Sequence, residues 1–278
     1  MLHGLRVFPL GLICLMLSCR GGGVTQISEF PLQERFLSET ITLASWNAQK
    51  FHNCQSVDDL QALIEQQKPD IVFVQESRTD LARMKNIGGY FAEAWSTPWP
   101  GGITTGVLTM SRVAPDRVEA VPSKHGEFFF IAPKVFLITE YSLPDGEILL
   151  AVNVHLVSFE RWRLINFRSQ LDDLKAIIEN HRGPVIMAGD FNIWSQERLG
   201  LVQALAEQLG LREVTDFPSI RTTADMRLAG LNRLLGIKKD FPLDRVYQRG
   251  FTSHSAQVLP YDSSDHKPIL VTLIRQTS

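Results

Sequence analysis

The chain has 278 residues, 44% of them hydrophobic and 21% charged, with a formal charge of −2. That is enough apolar material for one large core, and no repeat or linker-like tract divides it, so one catalytic-sized domain behind a short N-terminal segment is the economical count. The near balance of charge excludes a protein that holds nucleic acid by bulk attraction, and the three cysteines, Cys14, Cys19 and Cys54, match no zinc or redox spacing.

In chain order, His3 and Arg6 flank the start of an apolar run, Val7 to Leu17, that is too short to span a bilayer as a mature helix. A basic start, a short apolar core and a small residue at Ser18 read as a secretory signal. Leu17-Ser18-Cys19 resembles a bacterial lipobox, which implies lipidation and membrane anchoring at Cys19. Residues 1–23 are then signal and tether, and 24–40 a lead-in. The expected location is the cell envelope, lipid-anchored, periplasmic or secreted; the alternative is a buried hydrophobic arm in a cytoplasmic protein.

From there strands and helices alternate. Residues 41–46 have strand character and end at Asn47, and 57–67 carry Val57, Leu60, Leu63 and Ile64 as a helical stripe broken by Pro69. Ile71 to Val74 is a fully apolar strand ending in Gln75-Glu76-Ser77. Further strands lie within 104–111 and 128–141, a hairpin turn at 143–147, and a returning strand at 148–154 that delivers His155. Residues 162–179 form a long amphipathic helix. Pro184 opens the strand Val185-Ile186-Met187-Ala188-Gly189, and another helix runs from Ser195 to about Leu209 with Gly210 as its cap. The closing strands are 243–247 and 268–274.

Polar groups recur where these apolar strands end. Asn47, Glu76, His155, the Asp190/Asn192 pair and Asp244 each stand at such a place, and Ser264-Asp265-His266 immediately precedes the last strand. Singly each has a plain explanation: Glu76 capping a following helix, His155 satisfied in a core, Asp190 and Asn192 capping a turn. If the strand continued past Asp190, the side chains of Asp190 and Asn192 would leave on one face. The recurrence is what the plain explanations do not predict, since a sheet gathers strand ends at one rim, where ligand sites are built. Hard oxygen donors without thiolates, Glu76 and Asp265 with Asp190 and Asn47, suit Mg²⁺ or Mn²⁺. Two histidines with acidic neighbours supply an acid/base pair, a combination fitted to hydrolysis of a phosphate ester.

Ser45-Trp46-Asn47, Val74-Gln75-Glu76, Thr105 to Arg112, Val152-Asn153-Val154-His155, Gly189-Asp190-Phe191-Asn192, Leu243-Asp244 and Ser264-Asp265-His266-Lys267-Pro268 stand in the order of the endonuclease/exonuclease/phosphatase superfamily. The chain resembles this DNase I-like group over about 41–274, and within it the YafD-like bacterial branch. The resemblance implies a four-layer α/β sandwich, two packed mixed β-sheets flanked by helices, over 41–275. It implies Glu76 as principal metal ligand assisted by Asn47 and Asp265, and His266 as general base oriented by Asp244. Asp190 and Asn192 would position water, metal and phosphate, and His155 would donate to phosphate or act as general acid. Apurinic endonucleases place a different residue type at the His155 position, which argues against abasic-site repair.

The expected function is a metal-dependent phosphoesterase, foremost a phosphodiesterase, with Mg²⁺ or Mn²⁺ as cofactor and a monomeric state. A nuclease-type substrate leads, with a sphingomyelinase-like phospholipid diesterase or a phosphomonoesterase as alternatives, and a catalytically silent binding module as the rival from another class. Residues 221–249 are rich in Lys and Arg, and Leu228, Leu231, Leu234 and Leu235 form a stripe there that either meets anionic lipid or a nucleic-acid backbone or packs as an ordinary surface helix. Lys134, Arg161 and Arg168 are candidate phosphate contacts. Trp95, Trp99, Trp162 and Trp194 line a mouth or fill the core.

Overall fold

The computed structural model describes residues 22–27, 36–78, 89–98, 102–126, 132–158, 160, 163–217 and 242–276. The lipidation candidate Cys19, the phosphate candidate Arg161, Trp99, Trp162 and the leucine stripe of 228–235 lie outside them. Among the described residues no helix is long and apolar enough to cross a membrane.

Each sheet grows from one strand–helix–strand unit. In the first, β2 (Thr40–Asn47) is followed by α1 (Gln55–Gln67) and β3 (Ile71–Arg78), with β2 and β3 parallel. In the second, β8 (Ile148–His155), α2 (Ile165–Ile178) and β9 (Val185–Asp190) repeat the arrangement, again with parallel strands. Parallel neighbours need such a crossover, and it forces both strands to end at the same edge of the sheet. Around the first pair stand β1 (Gly22–Ile27), β4 (Gly89–Pro98), β5 (Thr104–Ser111), β12 (Phe251–Val258) and β13 (Ile269–Arg275), in the order β1-β4-β5-β3-β2-β13-β12. Around the second stand β6 (Arg117–Gly126), β7 (Ala132–Ser142), β10 (Arg212–Glu213) and β11 (Asp244–Arg249), in the order β10-β11-β9-β8-β7-β6. A third helix, α3 (Gln196–Gln208), completes the set of longer elements.

The apolar clusters show how the layers stack. Ile41, Leu43, Ile71 and Phe73 of one sheet meet Leu149, Ala151, Ile186, Ala188 and Val246 of the other. On the outer face of the first sheet, Ala44, Trp46, Val72 and Val74 are covered by Val57, Leu60 and Leu63 of α1. On the outer face of the second, Leu150, Val152, Val154, Val185 and Met187 are covered by α2 and α3 through Phe167, Leu171, Leu174, Val202 and Leu205. Two mixed sheets packed face to face with helices outside is the four-layer sandwich expected from the sequence.

Several boundaries move, each for a local reason. Helix α1 begins at Gln55, before the first apolar residue of its stripe, and ends at Gln67 as expected, where the cap residue Lys68, with a left-handed φ of +48° and its N–H donating to Ile64 O, closes the last turn ahead of Pro69. Helix α2 begins at Ile165 rather than 162, because Arg163 and Leu164 have φ of +63° and +49°, which no helix accommodates. Gly210, at φ +66°, supplies the left-handed residue after α3. Strand β3 runs past Val74 to Arg78, and β4, β6 and β12 were not anticipated at all. Gly22 and Gly23, read as tether, pair with Ala94 and Glu93 on β4.

Candidate active site

The alternation of side chains along the inner strands builds the site. On β2 the row Ile41, Leu43, Ser45, Asn47 points between the sheets; on β3 the row is Ile71, Phe73, Gln75, and on β8 it is Leu149, Ala151, Asn153, His155. On β9, Ile186 and Ala188 lead to Asp190, and antiparallel β11 begins there with Asp244, paired to Asp190. Each row is apolar in mid-sandwich and polar at one rim. His155 and Asp190 are in register across β8 and β9, as are Asn47 and Gln75 across β2 and β3.

Asp190 is the hub. Its Oδ1 accepts the N–H of Asn192 at 2.9 Å, and its Oδ2 accepts Asn47 Nδ2 at 3.0 Å. His155 Nε2 lies 3.7 Å and His266 Nε2 4.0 Å from the same Oδ2. His266 Nδ1 faces Asp244 Oδ2 at 2.7 Å. The strand stops at Asp190, and Asn192 takes φ +49°, so the two side chains do not share a strand face. The turn-capping role the sequence allowed is realised within the cluster, and Asn192 Nδ2 donates instead to Leu156 O at 2.9 Å. Gly189 has φ +142°, and a Cβ there would lie 2.0 Å from Val154 O, so the approach of β8 to β9 beneath the hub requires glycine.

Glu76 is placed by a β-bulge: Gln75 pairs with Val107 and Ser77 with Gly106, leaving Glu76 as the extra residue at φ +53°. Glu76 thus stands inside β3, two residues before its last described residue, Arg78. Its carboxylate meets Lys50 Nζ at 2.6 Å and lies 3.9 Å from His155 Nε2, while Lys134 Nζ stands 3.1 Å from that same His155 nitrogen. The loop before β13 is tied in through Trp46 Nε1 to His266 O at 2.9 Å and Ser264 Oγ to Asn47 O at 2.6 Å. Asp265 faces Ser264 Oγ at 3.4 Å. Lys134 therefore joins the cluster, whereas Arg168 is exposed on α2 and paired with Glu197 of α3 at 3.1 Å.

These contacts favour different protonation states on the two histidines, cationic for His266 and neutral for His155. Burial opposes a charge on His266, yet Asp244, Asp190 and Asp265 outweigh it and raise the imidazole to about 10. Burial and the neighbouring Lys134 hold His155 well below the usual histidine range. Asp190 is pushed up to about 6 by burial and by Asp244, against the pull of His266 and its hydrogen bonds. For Glu76, burial is outweighed by His155, Lys134 and Lys50, which together bring it down to about 2.

Does this donor set fit a divalent ion? Glu76 is ionised and already holds a cation, the Lys50 ammonium, and Asp244 Oδ1 is buried without a hydrogen-bond partner. Among the described residues no three His, Cys, Asp or Glu side chains close on one ion position. One or two carboxylates with open positions is the way Mg²⁺ is commonly held, whereas a caged Ca²⁺ or Zn²⁺ would need more. The residues fit Mg²⁺ or Mn²⁺ in that open mode.

Three groups of supporting residues escaped the sequence reading. Below the rim, Gln75 Nε2 donates to Asn153 Oδ1 at 2.8 Å and Ser45 Oγ at 3.3 Å, and Asn153 Nδ2 donates to Leu108 O at 2.9 Å. Lys50 reaches Glu76 from a left-handed turn. Behind the Asn192 loop, Arg198 is fully buried, its guanidinium donating to the carbonyls of Val157, Asn192, Ser158 and Glu160 and stacking on Phe167 and Trp194. The recurring Gln75 and Asn153 inside strand rows were the available signal; for Lys50 and Arg198 there was none.

Residues 44–266 match the model of the Endonuclease/Exonuclease/phosphatase family. A UPF0294 protein of Vibrio vulnificus (strain CMCP6) is 32% identical over 246 residues, 86% of this chain and 78% of that one. A UPF0294 protein of Klebsiella pneumoniae (strain 342) is 37% identical over 167 residues, 60% of this chain, and the match spans only 57% of that relative's length. Among solved structures, an endonuclease/exonuclease/phosphatase from Beutenbergia cavernae DSM 12333 superposes with a TM-score of 0.67 at 19% identity, over 85% of this chain and 72% of that one. D. rerio TDP2 complexed with a single-strand DNA product gives a TM-score of 0.61 at 18% identity, over 84% of this chain and 98% of that one. At such identities the likeness is one of fold.

Proposed function

Since the chain belongs to the Endonuclease/Exonuclease/phosphatase family, and among its relatives to the UPF0294, YafD-like group, we propose that it hydrolyses a phosphodiester, with water as nucleophile and with divalent-metal dependence. The observation that carries the reading is the Asp190 hub, which holds one cationic and one neutral histidine within 4.0 Å of one carboxylate oxygen.

In this reading the scissile phosphorus sits above Asp190, between His155 and His266. Asp244 fixes the His266 ring through Nδ1, so that Nε2 faces the attacking water and takes its proton. Asp190 and Asn192 orient that water and the phosphoryl oxygens. His155, backed by Lys134, faces the charge that develops on the phosphate. Glu76, with Asn47 and Asp265, would hold Mg²⁺ or Mn²⁺, whose charge polarises the phosphoryl group and offsets the carboxylates that keep His266 protonated. A nucleic-acid strand is the leading substrate class, supported by the fold shared with a protein solved with a single-strand DNA product. If residues 1–23 act as the secretory signal their sequence resembles, that substrate would be met in the cell envelope.

The test uses the full chain, stripped of metal and re-supplied with Mg²⁺, Mn²⁺ or EDTA, on bis-p-nitrophenyl phosphate, DNA, RNA and sphingomyelin. Metal-dependent turnover that His266→Ala and Asp190→Asn each lower by about 10²-fold or more is expected. Normal turnover in either variant would refute the assigned roles.

A further inference from the structure

Beside the rim opens a cleft of about 510 Å³ lined by Gln49, Lys50, His52, Arg78, Ile103 and Thr105. It is continuous with the site, because Lys50 on its wall is the residue that holds Glu76 at 2.6 Å. Among the described residues that line it there is no carboxylate and no phenylalanine, tyrosine or tryptophan. In a chain of net charge −2, this concave surface carries two cationic side chains, Arg78 and the Lys50 that also meets Glu76, together with the imidazole of His52.

The wall is rigid. Gln49, Lys50 and Phe51 have φ of +47°, +59° and +48°, a run of left-handed residues without a glycine among them, a costly arrangement outside functional turns. Gln49 N donates to Asn47 Oδ1 at 3.1 Å, Ala48 N donates to Gln75 O at 3.0 Å, and Phe51 is buried in the core under α1. Lys50 and His52 are thus carried on a turn pinned at both ends. Arg78 arrives from the opposite side, on β3 just beyond the bulge that places Glu76, in register with Thr105.

We propose that this cleft is an anion subsite that takes a second phosphate of the substrate, next to the scissile one, and that the preferred substrate is therefore a nucleic-acid strand. A strand presents phosphates in series, and fixed cations suit them. A choline headgroup is itself cationic and is recognised by aromatic faces, none of which stands among the described lining residues. The inference rests on the reading that the rim hydrolyses phosphodiesters, and its test separates the two.

The full chain with Mg²⁺ is assayed on p-nitrophenyl esters of thymidine 5′- and 3′-phosphate, each with and without a phosphate on the other hydroxyl. At least one doubly phosphorylated regioisomer is favoured by about tenfold in kcat/KM, expressed in KM, as one charge-assisted contact would give. Arg78→Gln collapses that ratio. Equal turnover with and without the second phosphate, or a ratio that survives in both Arg78→Gln and His52→Gln, overturns the subsite while leaving hydrolysis intact. Should none of the esters be turned over, binding of oligothymidylate to the full-length His266→Ala protein, followed by fluorescence anisotropy against salt, still decides. Replacing Arg78 by Gln on that background lowers the slope of log affinity against log salt by about 0.7, one phosphate contact on a single strand. An unchanged slope, or tighter binding of sphingomyelin vesicles than of the oligonucleotide, overturns the proposal.

Discussion

Arg198→Met tests whether the catalytic loops are held from behind by one buried guanidinium. The side chain is fully buried and donates through one nitrogen to Val157 O at 2.6 Å and Asn192 O at 2.9 Å, and through another to Ser158 O and Glu160 O, each at 3.2 Å. Methionine keeps the stem and fills space between Phe167 and Trp194, so the cavity term is small. What is lost is the pairing of the carbonyls. The first two are buried, and leaving such acceptors unpaired costs about 1–3 kcal/mol each, so about 2–6 kcal/mol in total; water can reach the two partly buried ones. For a domain of this size that is a fall in Tm of roughly 5–20 °C. Asn192 is itself left-handed and tied to Asp190, so loosening its carbonyl also loosens the hub, and kcat falls below the melting range. Calorimetry and turnover at 20 °C, well under the new Tm, measure both. A Tm within 2 °C of the parent, or a lowered Tm with unchanged kcat, would show that the loops stand without the guanidinium.

Two further outcomes follow from charges. Lys50→Met removes the ammonium that a divalent ion must displace from Glu76, so Mg²⁺ or Mn²⁺ affinity measured by titration calorimetry rises by about fivefold, the worth of one partly exposed ion pair; weaker or unchanged affinity would show that Lys50 supports the ion instead. Glu93 is 4% exposed on β4 with Oε1 unpartnered, and burial raises its carboxyl from 4.5 to about 7. The folded chain there keeps a proton that the unfolded chain releases, so its contribution is full below pH 4.5 and is lost as pH rises through about 7. Glu93→Gln should flatten that part of the Tm–pH curve and stabilise the protein at pH 8 by about 2–3 kcal/mol; an identical pH slope in both proteins would exclude Glu93 as the source.

The sequence showed most clearly the strands that are apolar on both faces. Strands β2, β3, β8 and β9 are covered by a sheet on one side and a helix on the other, so their apolar runs are nearly continuous and easy to see. Strand β12 alternates with many exposed positions, and β6 carries Arg117, Glu119, Pro122 and Lys124, which read as loop until its pairing with β7 is known. In the site, residues that end an apolar run announced themselves: Asn47, His155, Asp190 and Asp244. Lys50 did not, since its reach depends on three left-handed residues that are not glycine. Arg198 did not either, since in Gln196-Glu197-Arg198-Leu199 it has the pattern of a solvent-facing helix residue, and only the neighbouring loop carbonyls make its burial tolerable.

The site and the core are one lamina at different heights. Going up the inner rows, Leu43 gives way to Ser45, Phe73 to Gln75, Ala151 to Asn153 and Ala188 to Asp190, so polarity enters both sheets near one level. The neutral Ser45–Gln75–Asn153 layer lies between the dry core and the ionised rim. It carries hydrogen bonds to Asn153 and to the backbone at Leu108, while Gln75 Oε1 remains unpaired. A buried polar layer of this kind is costly to stability when partly satisfied. Its benefit is positional: Gln75 precedes the bulge that throws Glu76 outward, and Asn153 sits two residues below His155 on the same row. Fixing those amides fixes the backbone from which the metal-ligand and phosphate-facing candidates project. The same alternation that made the strand ends legible therefore also explains their convergence, because residues of one parity on parallel strands of two facing sheets have nowhere to meet but the shared rim.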